Sequence, residues 1–168
     1  MFIVDNSNSM REFWYEATFL LETMAKKLKG QSEGKDVINL RFTIDTTIPA
    51  DKINTSSIIR AMARAKPAHG RNSVTDMKCC LGNIFEEFLE DTNHGRAKPL
   101  SIIILTDMKW GAMAAEDNLG LEILEFTQRL KQDRILPHEQ RPLSIEFIQF
   151  GEAAEATQRL RALESNDL

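Results

Sequence analysis

The sequence predicts an α/β fold: a doubly wound, mostly parallel sheet with helices on both faces. Three observations carry that expectation. Short apolar runs suited to strands alternate along the chain with longer segments whose apolar residues recur at helical spacing. The spacing of the runs suits parallel crossover connections. The strongest run, Leu100-Ser101-Ile102-Ile103-Ile104-Leu105, is apolar enough to be buried on both faces, the mark of a strand inside a parallel sheet.

Phe2, Ile3 and Val4 form the first strand and run into Asp5. Apolar positions at Phe13, Ala17, Leu20, Leu21, Met24 and Leu28 then mark a long helix, with Gly30 as its C-terminal stop. Ser9-Met10-Arg11-Glu12 fits a capping box at its start, in which Ser9 bonds a backbone N–H. After a polar loop, Ile38, Leu40, Phe42 and Ile44 alternate with Asn39, Arg41 and Thr43, as in an outer strand with one wetter face. Residues 45–55 read as a turn or a short extra strand. Ser56 or Ser57 caps a modest helix carrying Ile58, Ile59 and Met62, which Lys66-Pro67 ends.

Thr75 or Asp76 stands where an N-cap belongs, before an amphipathic helix with Met77, Cys80, Leu81, Ile84, Phe85, Phe88 and Leu89 on its inner face. The central apolar strand follows and ends in Thr106-Asp107. A loop with Trp110, Gly111 and Met113 leads to a helix that turns Leu119, Ile123, Phe126, Thr127 and Leu130 inward. Residues 143–150 form another strand, and after Gly151 a last helix carries Ala153, Ala156, Leu160 and Leu163.

A chain of 168 residues fits one domain, expected here over 1–168, and can bury a core without disulfide or metal staples. The net charge of -4 is spread along the chain and offers no basic stripe to follow a phosphate backbone, so no nucleic acid partner is expected. The adjacent Cys79 and Cys80 lie inside a predicted helix and are badly placed for a bridge, which favours a reducing, intracellular and cytoplasmic setting. No apolar run approaches the ~20 residues that cross a bilayer, and residues 2–4 are too short for a signal peptide's apolar region. No membrane insertion is expected. Opening directly in a core strand suggests a piece of a larger protein.

In doubly wound sheets, ligands gather at the carboxyl ends of the strands, near the point where strand order reverses. Asp5 and Asp107 both lie at such ends, and Thr75 opens a helix on the same edge. The turn Asp5-Asn6-Ser7-Asn8-Ser9 adds a carboxylate and two hydroxyls at alternate positions. Oxygen donors of this kind suit a small hard cation such as Mg2+ better than Zn2+, with Mn2+ or Ca2+ as substitutes. Two aspartates brought together repel, and a cation between them removes the conflict.

The Asp-x-Ser-x-Ser turn after the first strand, a threonine just before a helix and a Thr-Asp pair after the apolar strand together resemble the von Willebrand factor type A domain. The likeness runs on through Ile145-Glu146-Phe147-Ile148-Gln149-Phe150-Gly151 and so extends along the chain. It implies a metal-ion-dependent adhesion site built from Asp5, Ser7, Ser9, Thr75 and Asp107, with Ser73 as an alternative to Thr75. It also implies a bound divalent cation whose vacant position takes an Asp or Glu carboxylate from a partner protein, and no enzymatic chemistry. Where the family often has glycine, this chain has Asn8 and Met108. Asparagine accepts a left-handed backbone better than methionine does, so Met108 is expected to alter the turn or narrow access to the metal.

Other features invite plainer readings. His69, His94 and His138 fall in predicted loops at unrelated spacings and form no zinc site. Cys80 is expected to pack rather than react, and Asp76 to act as a helix cap. Trp14 and Trp110 either fill core or flank the site, where an exposed Trp110 would anchor a partner. A second function, from another class, is a metal-assisted phosphatase with Asp5 as nucleophile. A third is a scaffold that has lost its metal.

Overall fold

The computed structural model describes residues 1–31, 38–44, 55–67, 74–94, 98–111, 119–132 and 143–165. The strands are β1 (Phe2–Val4), β2 (Leu40–Phe42), β3 (Leu100–Thr106) and β4 (Leu143–Gln149). The α-helices are α1 (Trp14–Gln31), α2 (Thr55–Ala65), α3 (Met77–Asn93), α4 (Leu119–Gln132) and α5 (Ala154–Ser165), with a 3-10 helix (Asn8–Phe13) before α1. The strands form one four-stranded sheet in the order β2-β1-β3-β4, and each pairing is parallel. This is the expected doubly wound arrangement, and β2 takes the outer place anticipated for it.

The alternation of side chains along each strand sorts the core into two halves. Phe2 and Val4 of β1 and Leu105 of β3 join Leu40, Phe42, Leu21, Ala25, Ile58 and Met62 on the face covered by α1 and α2. Ile3, Ile102 and Ile104 point the other way, into a cluster with Met77, Leu81, Phe85, Phe126 and Leu130. Phe85 of α3 stacks on Phe126 of α4 at 4.0 Å, and Ala156 of α5 completes that layer. Helices therefore cover both faces of the sheet. Among the described residues, no helix is long and apolar enough to cross a membrane.

Local departures from expectation have identifiable causes. Gly30 lies inside α1, which continues to Gln31. Helical order also begins earlier than the capping box implies: Ser7 holds the N-cap position of the 3-10 helix with no side-chain cap bond, and Ser9 is inside that helix. The tight turn places Met10 in the core at once, and its burial outweighs the weak local preference for a cap at Ser9. β4 ends at Gln149, and the N–H of the next residue, Phe150, closes the last pairing by donating to the Thr106 carbonyl at 2.9 Å. The reading of residues 45–55 and the roles of Ser56, His69, Ser73, Met113 and His138 lie outside what the structure describes, apart from the helical backbone at Thr55 and Ser56.

Candidate metal centre

Strand register builds the site. Val4 pairs with Phe42 on one side and with Leu105 on the other, so Thr43, Asp5 and Thr106 follow one another across the carboxyl ends of three adjacent strands. Thr43 donates its N–H to the Val4 carbonyl at 3.2 Å, and Asp5 donates its own to Leu105 at 2.9 Å. Strand order reverses between β1 and β3 here, the position at which open α/β sheets form a crevice. Thr75 enters from the segment that opens α3, whose N-cap is Asp76; the Asp76 carboxylate accepts the Cys79 N–H at 2.9 Å, as a helix-cap acid should.

Asp5 is fully buried and lies at the hub. Its Oδ1 accepts the Ser7 N–H at 3.0 Å and the Thr75 hydroxyl at 2.6 Å, while Oδ2 accepts the Thr106 hydroxyl at 2.8 Å. Counting protons sets the direction of the next link. Thr75 has one hydroxyl proton, committed to Asp5, so the 2.8 Å contact between Thr43 and Thr75 is donated by Thr43. Thr75 keeps one lone pair. Ser7 and Ser9 share a hydroxyl–hydroxyl bond of 2.9 Å, which leaves lone pairs on both oxygens.

Thr106 is different. It donates to Asp5 and accepts both the Met108 N–H at 2.9 Å and the Trp110 indole N–H at 3.0 Å, which uses all the capacity of a hydroxyl. It is a fastener and has nothing left for a ligand. Asn6 is another: its side chain accepts the Ile44 N–H at 2.9 Å and donates to the Ala65 carbonyl at 3.2 Å, tying the turn to the ends of β2 and α2.

Asp107 lies one residue beyond the Thr106 fastener. Its Oδ1 accepts the Lys109 N–H at 3.1 Å, the same two-residue pattern that Asp5 makes with Ser7. Its Oδ2 is buried with no hydrogen-bond partner among the described residues; the Lys109 ammonium lies 3.7 Å away, an ion pair too long to be a hydrogen bond. A buried carboxylate oxygen without a donor is costly and calls for an explanation.

The structure thus joins Asp5, Ser7, Ser9 and Thr75 through hydrogen bonds that run from β1 to α3. Asp107 is placed at the end of the neighbouring strand without a direct bond to them. Among the described residues no group of three His, Cys, Asp or Glu side chains gathers around a point. The available donors are instead carboxylates and hydroxyls, with the unsatisfied oxygen of Asp107 among them, a set that fits a hard cation and not a soft one.

The loop after Asp107 bears on two expectations. Met108 adopts a left-handed backbone, φ 62°, so the turn has the shape a glycine would allow. Its side chain is fully buried in the core cluster with Met77, Leu81 and Trp110. Trp110 is likewise buried and bonded through its indole N–H, which removes it as an exposed anchor. Arg159 of α5 fixes this loop from behind: it donates to the Met108 carbonyl and its guanidinium sits 5.2 Å from the centre of the Trp110 ring. Asn8 needs no left-handed backbone, since Met108 alone among the described non-glycine residues has a positive φ.

Sequence reasoning missed Thr43 and Asn6 as members of the network. The alternation in β2 did mark Thr43 as facing away from Leu40 and Phe42, but only the parallel register brings it beside Thr75. Cys79 and Cys80 are free thiols, and burial pushes Cys80 up to about 11. His94 is exposed, with Nδ1 2.6 Å from the Glu90 carbonyl at the end of α3, in keeping with a loop role. Compared with known proteins, the chain matches no family model and no curated protein.

Proposed function

We propose that this protein is a divalent-cation-dependent binding module that captures an acidic side chain of a partner protein, as the resemblance to von Willebrand factor type A domains implies. Asp5, Ser7, Ser9, Thr75 and Asp107 would hold the ion, with Mg2+ favoured by the all-oxygen donor set. When bound, it supplies an open coordination position to an Asp or Glu of the partner. The observation that carries the reading is the buried, partnerless Oδ2 of Asp107 on the sheet edge that also presents the Ser7, Ser9 and Thr75 hydroxyls.

Asp5 does two things in this reading. It adds negative charge, and it orients Thr75 by accepting the hydrogen bond of its hydroxyl, so that the remaining lone pair is available. With donors already on both oxygens, Asp5 is poorly prepared to attack a phosphate ester, which supports a binding role over catalysis. The free thiols of Cys79 and Cys80 fit an intracellular setting.

Thermal unfolding in Mg2+ and in EDTA tests the proposal. Saturation at ~100 times the dissociation constant adds about 2.7 kcal/mol, which raises Tm by roughly 5–10 °C for a chain of this size. Ser9→Ala, at a partly exposed position, and Asp5→Ala, compared with its own EDTA baseline, should both lose the rise. A wild-type Tm indifferent to millimolar metal refutes the proposal. Turnover of a generic phosphate ester that disappears in Asp5→Ala would replace it with the phosphatase.

A further inference from the structure

We propose that Lys109 is a tethered rival of the divalent ion: its ammonium faces Asp107 and must leave for a cation to bind. The inference rests on the metal-site reading above and concerns how that site is regulated. Lys109 Nζ lies 3.7 Å from Asp107 Oδ2, the oxygen for which the structure provides no hydrogen-bond donor. The Lys109 side chain is 49% exposed against 1% for that of Asp107, so the lysine sits as a loose cover over a buried charge.

The backbone brings Lys109 next to Asp107. Met108 turns left-handed, its N–H held by Thr106, and the Lys109 N–H is bonded to Asp107 Oδ1. Residue 109 is thereby folded back over residue 107. Arg159 holds the Met108 carbonyl and lies over Trp110, which pins the same loop from the α5 side. Any movement of the ammonium is left to the flexible four-carbon stem, which can swing into solvent without altering the loop.

At 3.7 Å the ammonium offsets the charge of Asp107 without satisfying its hydrogen-bonding capacity. A divalent ion coordinated by that oxygen does both, and it repels a lysine that stays. The two cations are therefore alternatives at Asp107, and each metal uptake has to displace the lysine. The cover is weak, because half-exposed ion pairs contribute little. It sets a threshold of metal concentration without closing the site.

Titration of the full chain with Mn2+ at low ionic strength, followed by the electron paramagnetic resonance of the free ion, tests this. Lys109→Met should bind Mn2+ roughly five-fold more tightly than wild type, the upper end for an exposed ion pair. Lys109→Arg, which keeps the charge, should stay close to wild type. So should Lys131→Gln, which removes a charge at the far end of α4. Equal or weaker binding by Lys109→Met, or equal tightening by Lys131→Gln, overturns the rivalry while leaving the metal site standing. Binding by neither wild type nor Lys109→Met overturns both proposals. Binding by Lys109→Met alone supports the rivalry, with the wild-type threshold lying above the concentrations titrated.

Discussion

Asp5 and Asp107 end adjacent strands and are equally buried, yet their surroundings treat them in opposite ways. Asp5 receives donors on both oxygens, whereas Asp107 has an amide on one oxygen and only a distant ammonium near the other. Asp107→Asn should therefore separate binding from stability. In EDTA it removes an incompletely paired buried charge and should raise unfolding free energy by about 1 kcal/mol. In Mg2+ the variant should show no further gain. Urea titrations with and without metal check both halves, and a loss of stability in EDTA would mean that Asp107 is better served than its contacts indicate. At this scale the sequence was a good guide to which residues carry oxygen donors, because aspartate and hydroxyl residues announce their chemistry by type. It was a poor guide to Met108, whose buried side chain and left-handed backbone depend on a core that no local pattern describes.

The segments between strands and helices were harder to foresee than the elements themselves. Every helix required by the apolar periodicity is present, but the entry to α1 is a 3-10 turn that a capping-box pattern does not foretell. Its last residue, Phe13, reaches across to the exit of β4, where its ring meets Phe150 at a centroid distance of 6.2 Å. Gly151, between β4 and α5, has φ 77°, and a Cβ there would come within 2.8 Å of the Phe13 ring. Two penalties coincide: a left-handed backbone and an aromatic ring that must move. Gly151→Ala should cost about 1–3 kcal/mol, measured by urea denaturation, with the metal increment unchanged. A cost near zero would show that the ring yields freely. The glycine was visible in the sequence as punctuation, but its reason lies in a residue on the far side of the chain.

For the molecule as a whole, sheet direction was legible because buried parallel strands need continuous apolar runs and room for crossovers. The gathering of Asp5, Thr75 and Asp107 at one edge of the sheet followed from the same logic, whereas Thr43 joins their hydrogen bonds only through pairing register. One ionisable group links this packing to pH. Cys80 of α3 lies half-buried against the core, and burial raises its thiol from 9.0 to about 11. Between those values the unfolded chain loses the proton first, so folding stability falls as pH rises through that window. The cost at the upper end is on the order of 2 kcal/mol. Wild type should lose more stability than Cys80→Ala between pH 8.5 and 11 in parallel urea titrations, and identical slopes would show the thiol to be free to ionise.

The hub at Asp5 gives the fold a particular fragility. One carboxylate fastens the end of β1 to β3 through Thr106 and to the start of α3 through Thr75, so the proposed cation role and the architecture draw on the same atom group. If the proposed ion is bound, a descendant released from that role could discard Asp107 or Ser9 early and keep its shape. It would have to retain Asp5 to the last, as a fossil of an abandoned trade.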